Sequence, residues 1–516
     1  MPPTEVASFP APERAFPRRV VKRRGTTRER TGCLTCRQRK KRCDLGQPVC
    51  KGCVRLNYMC RWEDLRTCAG DNDTSGSVQQ VAQPVNVPFQ LLQNPDPILF
   101  WVDEHSDFAN PSITWKIIVS YLVGLVCYIA LFYPGGADLI LTVFLPMAMH
   151  SPPLLTSLIA WSSSHLSLRD TSFQQVAMQN RCAALRDLRS AINSDPANME
   201  ITLAMSLVLC SLESIMADNG HAWYLHLVGA AEIINSKLNT LESSGDSEQA
   251  SRRMLQQFED AYAGRWLLRN FAYRDIIMSV ARDRAPLLKS YHFLRLEEPH
   301  LPDSHFGLAS EILEILSVTS TLKEEIKTLF SESETEGEFG LGGLDDAQRS
   351  IRISEFMATL ASLESHLIDW TCPSSPDMFL RLLAESYRSS ALIYLYRVML
   401  RACPDRQDEL LAMTTGQVAA IVSSVEQIPT RSLPECTLLF PLFLAGGEAT
   451  QESHIKPIRN RMLDMIRSRG FRNVEVALSV LEKLWRLRIV RKLTDTSVRI
   501  DWLHIVQQDE IHLSLS

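Results

Sequence analysis

Residues Cys33–Cys60 read CLTCRQRKKRCDLGQPVCKGCVRLNYMC, a stretch in which C-x2-C-x6-C occurs twice. The first copy supplies Cys33, Cys36 and Cys43, and the second supplies Cys50, Cys53 and Cys60. Cysteines at fixed, repeated spacing point to a metal site. Structural zinc takes four tetrahedral thiolate or imidazole ligands. Six thiolates and no histidine fall short of the eight ligands that two separate four-cysteine sites need. They fill two tetrahedra when two of the cysteines each bridge both metals. A single C-x2-C-x13-C-x2-C site from Cys33, Cys36, Cys50 and Cys53 is the competing arrangement. It leaves Cys43 and Cys60 without a role, although they stand at matching offsets. The two-zinc cluster uses every cysteine and is the expectation.

Charge points outward from the same block. Arg37, Arg39, Lys40, Lys41 and Arg42 place five cations in six positions directly after Cys36. Folding a small domain does not require such a row. In a DNA major groove it neutralises phosphates and reaches the O6 and N7 acceptors of guanine. Met1–Arg66 holds 17 Lys/Arg against 6 Asp/Glu. That is about +11, which leaves about −16 for the remainder of a chain whose net charge is −5. A basic head on an acidic body suggests a polyanion-binding module joined to something with another task.

Residues 1–30 are rich in Pro, Thr and Arg and are expected to form a disordered basic arm. Within it Arg18, Arg19, Lys22, Arg23 and Arg24 read as a nuclear import signal or a phosphate-binding arm, or else as a solvated charge run. Their position just before the cysteine block favours a function. The first residues put Pro and Arg where a secretion signal needs an apolar run, so a reducing compartment is expected. There the seven scattered cysteines, Cys68, Cys127, Cys182, Cys210, Cys372, Cys403 and Cys436, are expected to be buried small hydrophobes. The polar, Gly- and Pro-broken stretch over 65–97 is a linker.

From 98 to 516 the pattern is helical. Apolar residues recur at three-to-four spacing over Phe173–Ile192, His221–Leu238, Arg252–Ala281, Glu311–Leu329, Ser354–Leu367, Phe379–Leu400 and Val474–Val490. Ile201–Met216 is apolar all round and is expected to be buried. No period-2 strand pattern appears, so the fold class is mainly α, with one large all-α body. Lys116–Asp138 encloses a run without charge, which a membrane span or a core helix ending at Pro134-Gly135-Gly136 would explain. No Lys/Arg cluster flanks it closely, and the basic head favours the core helix.

The cysteine block resembles the DNA-binding domain of the fungal Zn2Cys6 binuclear cluster transcription factors, over the whole motif. By that resemblance Cys33 and Cys50 bridge the metals, Cys36 and Cys43 complete one site, and Cys53 and Cys60 the other. Pro48 stands where the family has a loop proline. Thirty residues bury too little apolar area to fold unaided, so metal ligation must supply the stability. Short helices are expected to start near Cys36 and Cys53. The resemblance makes Lys40, with Arg39 beside it, the base reader of CGG-like triplets. Arg37, Lys41, Arg42 and Lys51 then act on phosphates. The domain is placed at 31–64 and is expected to carry two Zn2+ per chain.

The body resembles the fungal-specific regulatory domain that accompanies this cluster. The resemblance rests on LPMAMHSPPLL (Leu145–Leu155), WYLHLVGAAEII (Trp223–Ile234), FAYRDIIMSV (Phe271–Val280), ALIYLYRVML (Ala391–Leu400) and PLFLAGGEA (Pro441–Ala449), in the family's order. It implies a non-catalytic regulatory role in a nuclear transcription factor for RNA polymerase II genes. Double-stranded DNA, coactivators or transcription machinery, and a homodimer partner are the expected contacts; a membrane is not. The apolar run 113–137 departs from the family, as a divergent core helix or a translated intron would.

Catalytic patterns are weak. His150, His165, His221 and His226 form no His-x2-3-His or HExxH arrangement and read as core or surface residues. Phe339–Leu344 lacks the Lys-Ser/Thr of a nucleotide loop, and Ser331–Glu338 (SESETEGE) reads as a solvated loop rather than an activation segment. The rival function is an enzyme or small-molecule sensor in which the cluster serves only for targeting. Zinc storage would leave the basic row without a purpose.

Overall fold

The computed structural model describes residues 36, 41–44, 51, 140–194, 199–218, 220–239, 262–294, 302–303, 305–335, 346–402, 404–432, 434–493 and 500–516. The chain divides into two units, Met1–Gln83 and Pro84–Ser516. The arm over 1–30, the linker over 65–97, the apolar run 113–137, Phe339–Leu344, Cys68, Cys127 and Cys403 lie outside the described residues.

The larger unit is built of helices. In chain order these are α1 (Ile140–Met149), α2 (Pro152–Arg169), α3 (Gln174–Ser194), α4 (Met199–Met216), α5 (Ala222–Asn239), α6 (Tyr262–Arg282) and α7 (Ser310–Thr335). They continue with α8 (Asp346–Asp369), α9 (Met378–Ala402), α10 (Gln407–Gln427), α11 (Leu439–Glu448), α12 (Glu452–Arg469), α13 (Arg472–Leu493) and α14 (Trp502–Gln508). No strand occurs among the described residues; Asp303 and Gly307 form one isolated antiparallel bridge.

Two helices organise the packing. A helix that is apolar on every side has to be enclosed, and α4 is buried continuously from Thr202 to Met216. By length and composition it could cross a membrane, yet 83% of it is covered by its own protein. Helices α2, α5 and α6 pack around it, and α3 lies along α2. In the second half α9 takes the corresponding place, with α7, α8, α10 and α11 against it. Contacts of α4 with α13 and of α7 with both α6 and α9 join the halves.

The expected helical segments are α-helical where they are described except at their first residues Phe173, in a 3-10 turn, and His221, in a turn, and α7, α8 and α13 run beyond their predicted ends. Ser331–Thr335, expected in a loop, are the last residues of α7. Six described helices fall outside the expected segments: α1, α2, α10, α11, α12 and α14. Helix α2 shows why. Ser157, Ser162, Ser163 and Ser167 are buried, which erases the polar face, and each hydroxyl donates to a carbonyl three or four residues back. A serine satisfied by its own helix can be buried like an alanine. Helix α12 carries Pro457 and buries Arg461 and Arg469, so its apolar stripe is broken by charge.

The cysteine expectation needs correction in part. Cys210 is buried, Cys372 and Cys436 are half-buried, and Cys182 is exposed on α3.

The PLFLAGGEA motif forms α11 and the residue that caps it, and its two glycines are explained by close approach. A Cβ on Gly446 would lie 2.6 Å from Leu481 Cδ1, and one on Gly447 would lie 2.7 Å from Trp502 Cδ1. Both carbonyls are used: Trp485 Nε1 donates to Gly446 O at 2.9 Å and Arg488 Nη2 to Gly447 O at 2.7 Å. Leu481 and Trp502 are both fully buried, so neither has open space to move into. Gly447→Ala and Gly446→Ala are therefore each expected to destabilise the body by about 1–3 kcal/mol, measured by chemical denaturation.

Candidate metal centre and nucleic-acid interface

In the N-terminal unit, burial and charge are separated within a few residues. Cys36 is helical and 1% exposed. Its carbonyl accepts from the Lys41 N–H at 2.9 Å. A bond of that span is the kind that closes a helix C-terminus. Lys41 and Arg42 are exposed just beyond it, and Cys43 is half-buried. Neither Cys36 nor Cys43 is in a disulfide. Inward thiols in a polar setting fit soft thiolate ligation of zinc, while the outward cations fit a polyanion.

The two halves of the duplicated motif are tied by a residue the sequence reading passed over. Asp44 follows Cys43, and its carboxylate accepts from the Lys51 N–H at 3.0 Å. Lys51 is helical and exposed, so Asp44 satisfies a backbone donor in the second half of the motif. An Asp just before a Gly-Pro-containing loop was the available signal. Of the other predicted residues, Cys33, Cys50, Cys53, Cys60, Arg37, Arg39, Lys40, Arg18, Arg19, Lys22, Arg23 and Arg24 lie outside the described residues.

In the body, the polar residues of the motifs join helices. Arg274 Nη2 donates to Ser211 Oγ of α4 at 2.7 Å, and both Asp275 oxygens accept backbone N–H groups, of Leu287 at 2.8 Å and Leu288 at 3.1 Å. Arg397 on α9 pairs with Glu448 at the end of α11 and, at 2.6 Å, with Asp501 at the start of α14. Burial by itself would raise the Asp501 pKa, but the charge and hydrogen bond of the Arg397 guanidinium, with the Leu503 N–H and Arg401, outweigh it and hold the carboxyl below its ordinary range.

The histidines are accounted for in the same way. His165 is buried, and its Nε2 donates to the Arg469 carbonyl at 2.8 Å. Burial pushes its pKa down to about 4, and the same cause lowers His226 to about 4, so both rings are neutral at physiological pH. His150 is exposed, and the His221 ring lies 4.7 Å from that of His512.

Comparison with known proteins gives two family matches. The fungal specific transcription factor domain matches residues 127–516, and the fungal Zn(2)-Cys(6) binuclear cluster domain matches residues 31–67. The chain is similar to an uncharacterized transcriptional regulatory protein of Schizosaccharomyces pombe, at 23% identity over 93% of this chain and 95% of that one. It is similar to the transcriptional activator protein UGA3 of Saccharomyces cerevisiae, at 22% identity over 88% and 92%. Over 37 residues it is 60% identical to the zinc cluster transcription factor CZF1 of Candida albicans, which is 7% of this chain and 10% of that one. No solved structure matches the chain.

Proposed function

This chain belongs to the fungal specific transcription factor domain family and carries a Zn(2)-Cys(6) cluster domain at its N-terminal end, and from that premise we propose how it reads DNA. The protein is a DNA-binding transcription factor whose cluster domain binds two zinc ions. The family is one of transcription factors, which does not favour the enzyme or sensor reading. In the proposed site Cys33 and Cys50 hold both metals, Cys36 and Cys43 complete one tetrahedron, and Cys53 and Cys60 the other. When bound, zinc supplies folding energy rather than chemistry.

The observation that carries the interface is the placement of exposed Lys41 and Arg42 directly beyond buried Cys36. In this reading the segment that follows Cys36 presents Arg37, Arg39 and Lys40 to the major groove. Lys40, with Arg39, reads guanine edges in CGG-like triplets, while Arg37, Lys41, Arg42 and Lys51 hold phosphates. Asp44 supports this arrangement by fixing the segment that carries Lys51. Arg18, Arg19, Lys22, Arg23 and Arg24 serve nuclear import, and the body receives regulatory signals through coactivator or dimer contacts. The target genes are those transcribed by RNA polymerase II.

The test is a protein-binding DNA array with the full zinc-loaded chain. CGG-containing probes are expected to lead the ranking. Lys40→Ala should weaken specific binding by about 1–3 kcal/mol and flatten the base preference, whereas Lys41→Ala should weaken all sequences evenly and reduce the salt dependence. A wild-type ranking without CGG enrichment would overturn the assignment.

A further inference from the structure

Beyond α14 the chain turns back onto the body. Glu510 takes a left-handed φ of 52°, and the Ile511 N–H closes the turn on the Val506 carbonyl at 2.9 Å. Residues 511–516 then form no helix, yet Leu513 and Leu515 are 2% and 1% exposed, with Ser514 buried between them. The segment runs back along α4. His512 lies against Gly220, and its carbonyl accepts from Trp223 Nε1 of α5 at 3.4 Å. The Ser514 hydroxyl donates to Ser214 Oγ of α4 at 2.9 Å, and its carbonyl accepts from Asn473 Nδ2 of α13 at 3.3 Å. Arg274 Nη1 of α6 donates to Ser516 Oγ at 3.5 Å. Four helices thus each offer a polar side chain to one short strap.

Two features separate the strap from the helices that seat it. Buried backbone groups are nearly always paired, yet among the described residues the N–H groups of Leu513, Ser514 and Leu515 donate to no other residue. Asn473 is itself buried, and its Oδ1 has no partner although its Nδ2 serves the strap. A carboxamide both donates and accepts, and only the donating half is used here. The strap is held by two leucines and by side chains that meet its carbonyls and hydroxyls. Bound peptides are seated in that manner, with main-chain contacts between pockets for apolar side chains.

We propose that the groove lined by Ser214, Trp223, Arg274 and Asn473 is a recognition site for a non-helical Leu-Ser-Leu segment, filled in cis by Ile511–Ser516 as a detachable strap. Seating the strap ties α13 and α14 to α4, α5 and α6, so its release loosens the join between the two halves of the body. The cluster domain takes no part in the contact, so its failure leaves the reading of CGG triplets untouched.

The test uses the full chain without DNA and a fluorescent peptide of the strap's own sequence, IHLSLS. Leu513→Gln combined with Leu515→Gln removes both buried side chains and unseats the strap. This double variant is expected to keep its helical circular dichroism, to melt below the wild type, and to regain stability as peptide is added. By fluorescence anisotropy it should bind the peptide at least tenfold more tightly than the wild type, whose groove is occupied. A peptide with Gln at both leucine positions should not bind, and Asn473→Ala added to the double variant should weaken IHLSLS roughly fivefold. Loss of helical circular dichroism in the double variant overturns the proposal, because the strap would then be an inseparable part of the core. A folded double variant that ignores IHLSLS, or binds it no more tightly than the wild type, overturns it as well.

Discussion

Cys50→Ala is expected to release both zinc ions and abolish DNA binding, while the helical body stays folded. In the proposed cluster Cys50 is a ligand of both metals, so its loss leaves two incomplete tetrahedra, whereas Cys36→Ala leaves one. Structural zinc contributes roughly 10–16 kcal/mol in small zinc-binding peptides, and a domain of this size has no apolar core to replace it. Native mass spectrometry of the full chain should count two zinc ions in the wild type, none in Cys50→Ala, and about one in Cys36→Ala. Circular dichroism should change little, because helices α1–α14 lie in the other unit. Wild-type DNA affinity in Cys50→Ala would rule out the bridging assignment.

The second large effect lies in the body. Glu435 is fully buried in the turn Pro434–Thr437 between α10 and α11. Its carboxylate meets Arg461 Nη1 at 3.1 Å and Arg469 Nη2 at 3.2 Å, both on α12, and also accepts the Arg431 N–H at 2.8 Å. Arg461 continues to the carbonyls of Val425 and Ile428, at the end of α10, and Arg469 to the Ser432 carbonyl at 2.8 Å. One carboxylate thus holds two buried guanidinium groups and joins three segments. Glu435→Ala leaves both cations without their charge partner, and removing one member of a buried pair typically costs about 3–5 kcal/mol. Loss of that size is expected to lower the denaturation midpoint of the body and the level of the protein in cells. Glu435→Gln keeps hydrogen-bond acceptance but not the charge, and should fall between. A destabilisation below about 1 kcal/mol in Glu435→Ala would show that solvent reaches the site.

What could be read beforehand followed from local rules. The spacing of Cys33, Cys36, Cys43, Cys50, Cys53 and Cys60 constrains ligand number without any knowledge of the fold, because zinc geometry does not depend on it. Three-to-four periodicity located α3, α5, α7, α8, α9 and α13, and unbroken apolarity marked α4 for burial. The same rules missed α2, where buried serines imitate a polar face, and α12, where buried arginines do. Asp44 was missed because a single carboxylate before a Gly- and Pro-containing stretch is a weak signal without periodicity; the Lys51 N–H, seven residues away, reveals its role.

Short stretches of the chain are enough to infer a two-metal reading head with a row of cations and a mainly helical body. Those conclusions rest on ligand chemistry and on the period of the α-helix, both written into short stretches. Tertiary structure alone decided which charges are buried as partners, as with Glu435, Arg461 and Arg469, which lie 26 and 34 residues apart. It also decided which apolar residues stay exposed, as with Met178, Leu185 and Ile192. Both outcomes depend on which helix comes to lie beside which, and no short stretch carries that information.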